Sequence, residues 1–299
     1  MRILITGGTG LIGRRLCKEL LAQGHVLTVL SRRPEQVSAL CGTTVTPMLS
    51  LDEYQRDTQF DVVINLAGEP IVDQRWTPQR QQILRQSRIT LTEALVNKMR
   101  EARYRPLTLL SGSAIGVYGN AGDTCLDEQS AAGGDFGAQL CTDWEAAAMT
   151  AASMGVRVCI LRTGLVLDHD GGMLKKMHLP FRLGLGARIG NGKQWMSWIH
   201  MQDYVALLIF LMEQTRVAGS FNMVSPNPVT NQEFTQTLAR TLHRPAVFFA
   251  PAGLLKLVMG ERADLLTGSQ RVLPVRAQGL GFQFAFQNLG EAIRDLWRS

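Results

Sequence analysis

The sequence predicts an α/β fold in which a doubly wound parallel sheet carries helices on both faces. Aliphatic runs recur with helical runs between them, a glycine cluster follows the first run directly, and the pattern changes near residue 167. Arg2–Thr6 is β-branched and aliphatic, as a strand buried on both faces must be. It breaks into Gly7, Gly8, Gly10 and Gly13, then into a helical pattern through Leu16, Leu20 and Leu21. Further strands are expected at Val26–Leu30, Val62–Leu66, Leu107–Ser111 and Val156–Leu161, with a shorter one at Val45–Met48. The clearest helices are Pro78–Arg100 and Gly137–Met154. In such sheets ligands sit beyond the carboxyl ends of the strands, so functional residues belong just after each strand.

Past residue 167 the strand–helix rhythm stops. Gly184, Gly186, Gly190 and Gly192 punctuate an irregular stretch that ends in Trp195, Trp198 and His200. A helix at Tyr204–Met212, a strand at Ser220–Val224, a turn at Pro226 and Pro228 and a helix at Asn231–Leu242 follow. A last amphipathic helix covers Leu289–Trp297. The expected organisation is a Rossmann-type nucleotide domain over 1–167, completed by 201–224. Residues 168–200 and 225–299 form a smaller, mostly helical substrate lobe.

The glycines carry the first functional inference. Gly7, Gly10 and Gly13 fit G-x-x-G-x-x-G, which serves a tight turn, close approach of backbone to a pyrophosphate, and close packing of helix on strand. The helix that starts at Leu11 and Ile12 then offers free N–H groups and a positive dipole end to phosphate. The nicotinamide coenzymes divide at the second strand. An NAD site places a carboxylate there, but the chain reads Ser31-Arg32-Arg33-Pro34, with no acid before Glu35. A hydroxyl and guanidinium groups suit a 2′-phosphate, so the cofactor predicted is NADP(H). Leu66, Ala67 and Gly68, after the fourth strand, are small or apolar enough for the adenosine half to pass over the sheet edge.

Bulk properties narrow the function classes. The net charge of +6 comes from scattered basic residues without aromatic interleaving, so no nucleic-acid partner is expected. No apolar run approaches the ~20 residues of a membrane helix, and the chain starts in a strand rather than a leader. Five cysteines without a C-x-x-C, at 17, 41, 125, 141 and 159, fit free thiols in a reducing cytoplasm. The five histidines form no H-x-x-H or Cys/His cluster, so no metal is expected.

Several segments together carry a resemblance: Thr6–Gly13, Asn65-Leu66-Ala67-Gly68, Ser111-Gly112-Ser113 with Val117-Tyr118-Gly119, Leu161-Arg162-Thr163-Gly164, and Trp198-Ile199-His200 with Asp203. The chain resembles the extended short-chain dehydrogenase/reductases, the group of nucleotide-sugar epimerases and dehydratases. The resemblance implies that Ser113 bonds the reacting carbonyl or hydroxyl. It also implies a Tyr-x-x-x-Lys pair for the proton, since hydride transfer leaves charge on oxygen. That pair is missing. The helix reads Asp135-Phe136-Gly137-Ala138-Gln139-Leu140-Cys141, and its two registers offer Phe136 with Leu140 or Gly137 with Cys141. The departure is similar to an atypical "epimerase family" subgroup with Cys in place of Lys and Arg in place of a helix Asn. Asn65–Ile71, Gln86-Ser87-Arg88, Leu140-Cys141 with Trp144-Glu145, Gly190–His200 and the tail from Met259 to Pro274 match it.

The catalytic candidates are therefore Ser113, Cys141, Arg88 and Tyr118, each with a plainer alternative. Ser113 is a catalytic serine or a turn serine, and Cys141 a functional thiol or a small core residue. Arg88 lies at the active site and cofactor by the subgroup pattern, or on a solvated helix face. Tyr118 is a substitute acid or a packed aromatic, and His200 reads as structural. The expected activity is that of an NADP(H)-dependent oxidoreductase or epimerase-like enzyme on a small polar or nucleotide-linked substrate. The alternative is a non-catalytic NADPH-binding sensor or interaction protein. The sequence leaves substrate, reaction direction and oligomeric state open.

Overall fold

Seven parallel strands form the central sheet in a computed structural model that describes residues 1–297. They are β1 (Arg2–Thr6), β2 (Val26–Leu30), β3 (Thr46–Met48), β4 (Val62–Asn65), β5 (Thr108–Ala114), β6 (Arg157–Thr163) and β7 (Gly219–Met223). Their spatial order is β7-β6-β5-β4-β1-β2-β3. The chain steps outward from β1 to β3, then crosses back to β4 and continues the other way. The order reverses between β1 and β4, the place where a sheet of this topology is expected to hold its ligand, in the crevice beyond the strand ends.

Alternation along each strand sends apolar side chains to both faces, which a doubly covered sheet requires. Ile3, Ile5, Leu27, Val29, Ile64, Leu110 and Leu161 pack under α1 (Leu11–Ala22), α2 (Val37–Cys41) and a later helix, Met201–Glu213. Leu4, Val63, Leu109, Val158 and Ile160 pack on the opposite face with Leu95, Val96, Met99 and Ala148. Helix α1 buries Gly13, Leu16, Cys17 and Leu20, the i, i+3, i+4, i+7 stripe of an amphipathic helix. Each fully buried leucine of that stripe contributes about 1.5–3 kcal/mol.

The helix expected over Pro78–Arg100 is not continuous. It runs as α3 (Pro78–Arg85), a π-helical turn (Gln86–Thr90) and α4 (Leu91–Glu101). Thr92 Oγ1 donates to the Arg88 carbonyl at 2.6 Å, a back-bond from i to i−4 that bends helices. The wide turn re-aims Arg88, and nothing in the residue periodicity announces it. Helix α5 (Phe136–Met149) also stops earlier than expected, and a 3₁₀ turn carries the chain to Gly155.

The chain after β6 holds α6 (Gly172–Arg182), α8 (Asn231–Thr241), α9 (Ala252–Met259) and α10 (Leu289–Leu296), with Met201–Glu213 as α7 between them. It is less purely helical than expected. Leu165–Leu167 pairs with Trp198–His200, Ala187–Ile189 with Phe248–Ala250, and Trp195–Met196 with Val229–Thr230. Strands of two or three residues are too short to show a period of two, which is why the stretch before His200 read as irregular. No helix among the described residues is long and apolar enough to cross a membrane.

Candidate functional site

The glycine turn is a backbone cradle with no space for side chains on its inner side. Gly7 has φ +72°, and a Cβ there would lie 2.7 Å from the Leu66 carbonyl group. A Cβ on Gly13 would lie 2.4 Å from the Gly7 oxygen, so α1 can approach the turn only with glycine at this position. At Gly10 the surroundings open, and only the Gly7 oxygen comes within reach, at 3.2 Å. No side chain caps the helix that begins at Leu11, so its first-turn N–H groups (Leu11, Ile12, Gly13) remain for a ligand. Across the crevice the Leu66 N–H donates to the Thr6 carbonyl, and the Ala67 N–H donates to Thr6 Oγ1. These features fit a dinucleotide: an open mouth at the helix end, and a floor at Leu66, Ala67 and Gly68 drawn tight against β1.

At the end of β2 the Ser31 N–H donates to the Met48 carbonyl, and Ser31 Oγ accepts from the Arg33 N–H at 3.1 Å. Arg33 is exposed. Arg32 extends over the crevice, and its Nη2 lies 2.8 Å from Glu69 Oε1. Glu69 was not among the expected site residues, although it follows the Asn-Leu-Ala-Gly floor directly.

The other end of the crevice gathers Ser113, Glu145 and Arg162 from three elements. Ser113 on β5 and Arg162 on β6 are register partners, so both side chains leave the same face of the sheet. Above them α5 brings Glu145. Ser113 Oγ donates to Glu145 Oε1 at 2.7 Å, and Arg162 clamps the same carboxylate with Nε and Nη2 at 2.9 and 2.8 Å. Both members of this ion pair are nearly buried, 11% and 12% exposed, which gives the clamp little competition from water. Arg162 Nη1 also donates to the Tyr118 hydroxyl at 3.0 Å, and that hydroxyl donates to Asn222 Oδ1 at 2.7 Å.

Cys141 lies one turn before Glu145 on the buried side of α5. Burial pushes its thiol up to about 11, Glu145 adds to the shift, and Arg88 opposes it. The cation that a reactive thiolate needs is therefore present but outweighed, and Cys141 is a neutral thiol at physiological pH. Arg88 is held by its carbonyl contacts: Nη2 donates to the Glu69 carbonyl at 2.9 Å, and its guanidinium lies 5.4 Å from the Trp144 ring centre. A Cβ on Gly68 would meet the Arg88 guanidinium at 3.0 Å, so Gly68 is small to let this arginine lie under the crevice floor. Trp144 in turn donates from Nε1 to Thr92 Oγ1, fixing α5 against the bent helix.

A model of the NAD dependent epimerase/dehydratase family matches residues 3–224, the span that holds the cradle, Ser113, Glu145 and Arg162. The chain belongs to this family. Residues 250–296 match a domain of unknown function, DUF1731. An epimerase family protein of Mycobacterium leprae is 40% identical over 294 residues, 97% of this chain and 94% of that protein. The chloroplastic epimerase family protein SDR39U1 homolog of Arabidopsis thaliana is 37% identical over 99% of this chain and 86% of its own length. The crystal structure of human epimerase family protein SDR39U1 (isoform 2) with NADPH superposes with a TM-score of 0.90 at 34% identity, covering 100% of this chain and 99% of that one.

Within this family site the proton accounting differs from expectation. Ser113, 4% exposed, donates its single proton to Glu145, and its hydroxyl is also within hydrogen-bond reach of the Cys141 thiol. The Tyr118 hydroxyl donates to Asn222 and accepts from Arg162, and its ring packs in an apolar cluster. Phe136 packs edge-on against Trp76, and Leu140 is buried, so the α5 register through these two supplies no proton carrier. His200 is a helix cap, its Nδ1 accepting from the Gln202 N–H. Glu145 and Arg162 lie within motifs of the sequence, but spacing along the chain does not reveal that they meet.

Proposed function

We propose that this protein is an NADP(H)-dependent oxidoreductase or epimerase-like enzyme acting on a small polar or nucleotide-linked substrate. The observation that carries the reading is the pairing of a side-chain-free phosphate cradle with Ser31 and Arg32, rather than a carboxylate, at the end of β2. The NADPH complex of the human relative supports it. Residues 1–167 with 201–224 would hold the cofactor, and 168–200 with 225–299 the substrate.

The first turn of α1 and the glycine backbone hold the pyrophosphate, Ser31 and Arg32 the 2′-phosphate, and Leu66, Ala67, Gly68 and Arg88 the floor beneath. A nicotinamide held by these residues would supply the hydride donor or acceptor. Ser113 Oγ offers its lone pairs to a substrate hydroxyl. When that alcohol gives up its carbon-bound hydrogen as hydride to an oxidised nicotinamide and becomes a carbonyl, its hydroxyl proton would pass to Ser113 Oγ while the serine proton passes to Glu145 Oε1; the reverse reaction would return both. Arg162 keeps the carboxylate aimed at the serine throughout. Cys141, as a neutral thiol, lines this end without acting as a base.

Fluorescence titration with NADPH and NADH tests the cofactor reading. Arg32→Ala is expected to weaken NADPH by about ten- to a hundredfold, the worth of a charge-assisted bond, and to leave NADH unchanged. An unchanged NADPH affinity refutes the assignment. The absence of a phenol and an ammonium on α5 favours a second reading, a cofactor-binding sensor. Turnover of bound NADPH or NADP⁺ by any member of a nucleotide-sugar panel selects the enzyme; a partner captured only with NADPH selects the sensor.

A further inference from the structure

We propose that Glu69 tunes coenzyme preference by competing with the 2′-phosphate for Arg32, an inference that rests on the NADP(H) reading above. Strands β2 and β4 flank β1, so a pair formed by Arg32, after β2, and Glu69, after β4, passes over the end of β1 and across the glycine turn. A dinucleotide lying in the crevice meets this pair at its adenosine end.

The two partners are held unequally. The Arg32 side chain is 86% exposed and makes no other hydrogen bond or ion pair among the described residues. Glu69 is 20% exposed and fixed on three sides. Its second carboxylate oxygen lies 3.6 Å from Arg80 Nη1, its N–H donates to Ser87 Oγ at 3.2 Å, and its carbonyl accepts from Arg88 Nη2 at 2.9 Å. Arg32 is therefore the arm that swings, and Glu69 the post it swings from.

A phosphate dianion carries more charge and more acceptor oxygens for a guanidinium than a single carboxylate does, so Arg32 turns to it. The turn sacrifices the ion pair with Glu69. Ion pairs of such exposure are weak, so the sacrifice lowers NADPH affinity by about two- to fivefold. A coenzyme with a bare 2′-hydroxyl leaves the pair intact and incurs no such loss. Glu69 thus narrows the preference for NADPH that Arg32 creates, and the chain carries both the selector and its counterweight.

Titration of NADPH and NADH into the wild type, Glu69→Gln, Arg32→Ala and the double variant tests this. Glu69→Gln is expected to tighten NADPH by about two- to fivefold and leave NADH within experimental error, with the gain shrinking in high salt. In the Arg32→Ala background the same substitution is expected to change nothing. No gain for NADPH overturns the proposal, as does a gain that persists without Arg32, which would be general charge repulsion. A parallel loss of both coenzymes also overturns it, because Glu69 would then be a scaffold of the crevice. A wild type that binds NADH but not NADPH instead removes the cofactor reading itself.

Discussion

Cys141 shows how burial and a neighbouring cation contend for one group. Arg88 lowers the thiol pKa, but desolvation and Glu145 raise it, and the outcome is about 11. At pH 8 roughly one thiol in a thousand is ionised. Iodoacetamide should therefore label Cys141 at least ~100-fold more slowly than the exposed Cys125, followed peptide by peptide in a mass spectrometer. Equal rates would show that the thiol is open and activated. The sequence identified Cys141 and Arg88 as neighbours of the site, yet it could not show which influence prevails, because burial is a property of the packed molecule. Ser113 teaches the same lesson: the sequence singles out the residue, but only the packed molecule brings Glu145 to accept its proton.

At the scale of elements, β5, β6 and α5 meet at one buried ion pair. Removing one partner of such a pair leaves an uncompensated charge inside, a larger loss than the pair itself contributes. Arg162→Leu should accordingly destabilise the protein by about 3–5 kcal/mol in urea unfolding. Adding Glu145→Gln to that variant should restore much of the loss, since the orphaned charge is gone. A cost under about 1 kcal/mol for Arg162→Leu would mean that the clamp does not hold these elements together. The strands themselves were legible, because five-residue aliphatic runs bounded by glycine or polar residues have few other uses. The π-helical turn at Gln86–Thr90 was not, because it is produced by a threonine back-bond and the fit of Arg88 under Gly68.

At the scale of the whole molecule, the segment around His200 brings α7, Phe286 and α10 together. This imidazole is 4% exposed, stacked on Phe286 with ring centres 3.9 Å apart, and caps α7 through Nδ1. Its Nε2 lies 3.4 Å from Asp295 Oδ2, off line for a hydrogen bond. Burial lowers its pKa below the usual histidine range, with Asp295 and Asp168 opposing. The unfolded chain then binds more protons than the folded one below about pH 6.5, so stability should fall as pH drops through that value. His200→Asn keeps a capping side chain but cannot titrate. Its melting temperature should decline less than that of the wild type between pH 7 and 5.5, and an equal decline would exclude His200 as the cause.

The strap after Glu69 also ties distant parts of the chain. Arg75 donates to the Val258 carbonyl, Arg262 donates to the Val72 carbonyl, and Lys176 pairs with Asp73. These contacts join residues more than a hundred positions apart, and no local pattern announces them.

By itself the sequence determined the cradle. A strand, a left-handed glycine, an open helix end and a small third glycine are conditions on neighbouring residues, so thirteen positions specify them. It also determined the parallel sheet, because a strand covered on both faces must be apolar on both. Only the tertiary structure decided what happens at the two ends of the crevice. Glu145 reaches Ser113 across 32 residues and Arg162 across 17, while Arg32 meets Glu69 only because β1 lies between their strands. Hydrogen-bond direction and the balance of charge against burial depend on which side chains converge in space, and spacing along the chain does not encode that.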